Sequence, residues 1–274
     1  MPISALLLAL AAAAIHACWN VLISGSEDTH SATAVAIVVG VIVFAPVAAL
    51  TWRVQQAAVP YIAASSALEL LYLVLLATGY ARAAMSFVYP IARGSAPVIV
   101  LAVSVLALGV SVSAFAALGV VVIGVGILLV RGLRSSGGAR DLSLALAVGA
   151  CIASYTLVDK RGIAHADPLA YLEVVFTATA LGYLLVAWRI TGLVALRRAV
   201  RAASIVAGVG FFAAYALALA ALRLAPAASV AAVRESSVVL ATAWLAFSHR
   251  ERVTVERLAG ACAVVAGIVL ISLG

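Results

Sequence analysis

Charge is scarce in this chain and lysine is almost missing. Only 10% of its 274 residues are charged, and Lys160 is the single lysine. A soluble domain carries about a quarter charged residues, so an ordinary water-soluble protein is excluded. Three cysteines, Cys18, Cys151 and Cys262, lie far apart within apolar runs. They match neither a zinc spacing nor a disulfide framework. The chain also lacks a serine-elbow motif, a metal-ligand cluster, a phosphate loop and paired carboxylates at helical spacing. No enzymatic activity, cofactor or metal is therefore expected. The formal charge of +7 raises nucleic acid as a partner. Its arginines, however, sit in short loops between apolar runs, where membrane topology needs them. No nucleic-acid partner is expected.

What fills the chain instead is hydrophobic sequence, 66% of all residues, with a mean hydropathy of +1.25. A run of about 20 apolar residues crosses the hydrocarbon core of a bilayer as a helix. Ten such spans are predicted: 2–23, 31–52, 61–80, 83–108, 112–130, 142–158, 168–188, 202–222, 226–247 and 253–273. The first has no basic n-region and is longer than a signal-peptide core needs, so it reads as an uncleaved helix.

The polar break "RGLRSSGGARD" at 131–141 divides these spans into five plus five, giving predicted repeats at 1–131 and 141–274. An offset of 141 pairs Arg82 with Arg223, Arg93 with Arg234, Gly119 with Gly260, and Gly126 with Gly267. The first and sixth spans align at an offset of 136, pairing Trp19 with Tyr155 and Asn20 with Thr156. Because five is odd, the second repeat must sit upside down in the bilayer. The fold expected is an all-α integral membrane protein of ten transmembrane helices in two inverted five-helix repeats. That architecture is characteristic of transporters with a site between the repeats near mid-membrane. Eleven basic loop residues on one side against four on the other predict both termini outside the cytoplasm.

The segment "RESSVVLATAWLAFSHRERVTVERLAGACAVVAGIVLISLG" at 234–274 resembles EamA-type members of the drug/metabolite transporter superfamily. These similarly end in a ninth helix, a short loop with Glu251-Arg252, and a last helix with Gly260 and Gly267. "HACWN" at 16–20 and "YPIARGSAP" at 89–97 look like a subset of that family. The resemblance implies a multi-pass transporter of the inner (plasma) membrane. One departure is "GVSVS" at 109–113, where the second repeat has the charged loop around Glu251.

Ionisable residues inside spans are rare and are functional candidates. Here they are Glu69, Arg93, Glu173, Arg234 and Glu235. Glu173 is only about 8 Å into its span, near interfacial water, and reads as structural. Arg93 lies roughly 15 Å deep. It shares a helix face with Ser86 and Tyr89, while Pro90 and Pro97 free backbone carbonyls beside it. This stretch reads as pocket wall, against the alternative of an arginine locked in a structural ion pair. Arg234 is its repeat counterpart, and the adjacent Glu235 is expected to point at Arg93 or another polar helix. Glu69 shares a stripe with Ser65, Tyr72 and Tyr80, either as a carrier of a coupling proton or as a fixed counter-ion. His16, Trp19 and Asn20 cluster on the first helix and Tyr155 on the sixth, the histidine being either a core residue or a ligand. Asp159 and Lys160 close the sixth helix and are expected to be solvated.

The deep charges of Arg93, Arg234, Glu69 and Glu235 balance, and the first helix carries no carboxylate. That suits a small zwitterion or anion, amino-acid-like or aminophosphonate-like, moved by a secondary transporter. A flippase for a lipid-linked carrier and a non-transporting scaffold remain alternatives. The expected partners are a small-molecule substrate, protons and the lipid bilayer, with a homodimer left open.

Overall fold

A computed structural model describes residues 1–24, 26–82, 85–131, 138–240 and 254–273. Ten α-helices are present among them: α1 (Ile3–Ser24), α2 (Thr29–Leu50), α3 (Val59–Arg82), α4 (Met85–Leu106) and α5 (Ala114–Arg131) form the first half. The second half holds α6 (Ala139–Gly162), α7 (Pro168–Arg198), α8 (Ala202–Leu224), α9 (Ala227–Arg234) and α10 (Val255–Leu273). Helices are what an apolar chain must form in lipid, where each backbone N–H and C=O has to be satisfied within its own segment. Six of them are long and apolar enough to span a membrane, and 91–106, 114–129 and 258–271 are shorter apolar stretches. Leu50, Leu106, Leu181 and Leu258 stand exposed on their outer faces, as lipid solvent requires. The protein is a multi-pass membrane protein.

The predicted spans differ from the helices at two places. The seventh continues ten residues past Trp188 to Arg198, bending at Gly192, whose φ of 82° is open to glycine at little cost. The ninth is not one rod. α9 stops at Arg234, Glu235 forms a turn, and helical bonding resumes over 236–240. In the fourth, the helix runs unbroken through Pro90 and Pro97. Glu251, Arg252 and the rest of 241–253 lie outside the described residues.

Two-fold pseudo-symmetry is visible in the packing. Helix α5 packs on α10, α2 on α7, α1 on α8, α3 on α6, α4 on α6, α1 on α9, α2 on α8 and α3 on α7. Exchanging every helix for its counterpart five positions along returns the same set. Short connections make each helix antiparallel to the next, so α6 runs opposite to α1 and the repeats are inverted. The α5–α10 seam is built on glycine. A Cβ on Gly119 would lie 2.6 Å from the Gly267 carbonyl oxygen, and one on Gly126 2.8 Å from that of Gly260. Close backbone approach of this kind is how helices associate in lipid. Gly119→Val is therefore expected to lower stability by about 1–3 kcal/mol through overpacking, read as a lower midpoint of thermal unfolding in detergent.

At the end of α6 cationic side chains bond backbone carbonyls. Lys160 Nζ donates to the carbonyls of Leu222 and Ala225. Arg223 donates to the carbonyls of Ile163 at 3.2 Å and Ala166 at 2.5 Å. Loop 51–58 meets loop 163–167 there, through a bridge between Val54 and Ala166 and an Asp167 N–H to Arg53 carbonyl bond of 2.7 Å. Asp167 also caps α7, accepting from the Leu169 N–H ahead of the rigid Pro168 turn.

Candidate functional site

Six helices, in the counterpart pairs α1/α6, α3/α8 and α4/α9, enclose a central cavity of about 20 Å³. That is room for about one water molecule. His16 and Trp19 reach it from α1, Glu69 and Tyr72 from α3, and Arg93 from α4. Tyr155 comes from α6, Phe211 and Tyr215 from α8, and Arg234 from α9. Seven of the residues singled out in the sequence thus share one small space.

Arg93 is 4% exposed and has partners on two sides. Its Nη1 donates to Glu235 Oε1 at 3.1 Å, a fully buried ion pair across 142 residues of chain. Its Nη2 donates to His16 Nε2 at 2.7 Å. A guanidinium has no acceptor, so Nε2 must accept, which makes His16 a neutral imidazole with its proton on Nδ1. His16 also meets Trp19 edge-on at 4.9 Å. Arg93 is pocket wall and structural ion pair at once.

Arg234 is 9% exposed and forms no ion pair among the described residues; its guanidinium carbon lies 5.3 Å from the centroid of the Tyr215 ring. Glu69 is 2% exposed and its Oε1 has no partner among the described residues. The indole Nε1 of Trp19 and Oε2 of Glu235 are likewise without partners among the described residues. Buried polar atoms left unpaired are uncommon in proteins. Here three of them belong to residues at or beside one cavity.

An aromatic chain frames the space. Trp19 meets Phe211 at 5.1 Å, Phe211 meets Phe176 at 4.8 Å, and Phe176 meets Tyr215 at 5.0 Å. Tyr215 meets Tyr155 at 6.1 Å, and Tyr155 meets Tyr72 at 5.9 Å. Phe211, Phe176 and Tyr215 were not legible from motifs or from repeat pairing. The one available signal is the i, i+4 spacing of Phe211 and Tyr215 on a single helix face.

Two expectations are corrected. Asp159 is not solvated. It is 1% exposed and accepts from Ser65 at 2.6 Å, Tyr171 at 2.9 Å and Tyr215 at 2.5 Å. Its burial follows from α6 packing on α3 with α7 and α8 behind it, which surrounds the last turn with hydroxyls. Lys160, also expected in water, donates to backbone carbonyls as described above. Asn20 stands apart from the cavity lining, donating to the His16 carbonyl of its own helix at 2.9 Å. Glu173 is buried with Oε2 unpartnered among the described residues. The Tyr89 side chain lies outside the described residues.

Residues 140–273 match the model of the EamA-like transporter family. A solved crystal structure of a protein aligns over 100% of this chain and 98% of its own, with a TM-score of 0.79 and 15% sequence identity. At that identity the likeness shows the fold alone. No curated protein matches the chain.

Proposed function

From the match of residues 140–273 to the EamA-like transporter family, we propose that the chain is a secondary transporter of a small zwitterionic or anionic metabolite. That match supports a membrane transporter of small molecules. The observation that carries the narrower reading is the pairing of opposite charges on one cavity. Among the described residues Arg234 rests on the Tyr215 ring rather than on a carboxylate, and Glu69 offers a carboxyl oxygen without a partner. A substrate carboxylate or phosphonate suits the planar fork of arginine. An ammonium suits Glu69. The aromatic chain from Trp19 to Tyr72 supplies an apolar surface for the body of the molecule.

The test is uptake of a panel of radiolabelled amino acids and aminophosphonates by purified protein in proteoliposomes. Saturable uptake of at least one zwitterion, competed by its unlabelled form, is expected. Flux of none of them, with movement of a lipid-linked carrier instead, would support a flippase. The distribution of basic loops supports an inner-membrane orientation with both termini outside the cytoplasm. A reporter fused after Gly274 and active only in the cytoplasm would refute that orientation.

A further inference from the structure

Arginine is concentrated between residues 189 and 201, where α7 ends and α8 begins: Arg189, Arg197, Arg198 and Arg201. Membrane topology accounts for their side of the bilayer. It does not account for the cavity that two of them share. Past the bend at Gly192, Val194 and Arg198 turn one helix face onto a space of about 350 Å³. Arg201 and Ser204 close it from the start of α8, and Glu27 and Asp28 from the connection between α1 and α2. Pockets for small ligands begin at about 300 Å³.

The α8 wall suits an anion. No side chain caps α8, so its first N–H groups and the positive end of its dipole are left for another acceptor. Ser204, in the first turn, is 5% exposed, and its hydroxyl lines the cavity without a hydrogen-bond partner among the described residues. Arg198 and Arg201 add two planar guanidiniums, which match phosphate oxygens. The facing wall is acidic. Asp28 is already engaged, accepting from the Ser31 N–H at 3.1 Å and the Ser31 hydroxyl at 2.5 Å. Glu27 is exposed and meets Arg201 only at 4.0 Å, which leaves it able to take a second cation. A bare anion would be repelled by Glu27. A phosphate that carries its own ammonium would satisfy both walls.

The cavity lies where α1, α2, α7 and α8 all end, at the membrane surface. Trp188, about one turn before the bend, has the Arg189 guanidinium 5.6 Å over its ring, a pairing that belongs at headgroup level. Val194 lines the cavity and is also 64% exposed, and Leu181 and Leu185 stand exposed along α7 toward mid-membrane. The mouth therefore opens on the surface that acyl chains cover. We propose that this cavity holds the headgroup of an amine-bearing phospholipid from the arginine-rich leaflet. Its phosphate rests on Arg198, Arg201, Ser204 and the N-terminus of α8, and its ammonium on Glu27. This site is separate from the central cavity and does not depend on what the protein transports.

Native mass spectrometry of the purified full chain, released from micelles that contain phosphatidylethanolamine, phosphatidylglycerol or phosphatidylcholine, tests the assignment. The wild type is expected to retain phosphatidylethanolamine over the other two. Arg198→Ala should weaken that retention about tenfold or more, the loss of one charge-assisted contact. Arg197→Ala removes the same charge from the neighbouring residue, which does not line the cavity, and should change little. Glu27→Gln should weaken phosphatidylethanolamine and spare phosphatidylglycerol, and it decides the matter if the arginine variant does not fold. Equal retention of the three lipids, or equal losses in Arg197→Ala and Arg198→Ala, overturns the site and leaves only the general attraction of a basic surface. Preferred retention of phosphatidylglycerol overturns the ammonium contact. Soluble phosphoethanolamine has the same charges without acyl chains and is expected not to displace the lipid. Its displacement of the lipid would overturn the lipid assignment in favour of a soluble phosphate.

Discussion

Arg93→Ala is expected to destabilise the protein by about 3–5 kcal/mol, because it leaves Glu235 charged and buried without its partner. The same change removes the donor to His16 Nε2, so a second buried acceptor is left open. The midpoint of thermal unfolding in detergent reads the loss. Arg93→Ala combined with Glu235→Ala should recover most of it, since apolar replacement of a whole buried pair is often tolerated. Arg93→Lys keeps the charge but cannot span Glu235 and His16 together, and should fall between. If the double variant is as stable as the wild type and also transports at a near wild-type rate, the Arg93–Glu235 pair is purely structural. If it is stable and does not transport, Arg93 serves the substrate as well.

Arg234→Ala is expected to do the reverse, sparing stability and removing binding. Its guanidinium rests on the Tyr215 ring rather than on a carboxylate among the described residues, so its loss strands no partner there. Losing the counter-charge of a buried substrate anion costs about 2 kcal/mol or more, which raises KM about 30-fold or more. Arg234→Lys should recover part of the affinity, because lysine supplies the charge but neither the fork nor the flat face that stacks on tyrosine. Uptake kinetics in proteoliposomes give both numbers. An Arg234→Ala protein with unchanged KM for every transported zwitterion would remove Arg234 from the site.

The two predictions differ although Arg93 and Arg234 are repeat counterparts, and the difference comes from broken symmetry. Position 235 is Glu, while its counterpart at the same offset is Gly94, whose would-be Cβ lies 3.3 Å from the Gly124 carbonyl. Position 69 is Glu, while its counterpart is Gly210, which lies against Trp19. Asp159 has Ile23 as its first-helix counterpart at the offset of 136. The repeats share a scaffold and a pair of arginines. The carboxylates, which choose partners, occur once each.

By itself the sequence determined the solvent, the helices and the inversion. These rest on local quantities: hydropathy over about 20 residues, loop charge, and an odd number of spans. It also singled out Arg93, Arg234 and Glu69, because a charge inside an apolar run stands out without knowledge of neighbours. Tertiary structure decided which groups meet. Arg93 took Glu235, 142 residues away, rather than Glu69. Asp159 went from an expected helix end in water to a carboxylate held by three hydroxyls, from Ser65, Tyr171 and Tyr215 on three other helices. Phe211 and Tyr215 became cavity wall through the packing of α8 on α1 and α6. A hydrogen bond is decided by a few tenths of an ångström and by direction. Residue type and spacing along one helix carry neither across a helix interface, so the charge balance of the site became readable only when α3, α6, α8 and α9 closed around it.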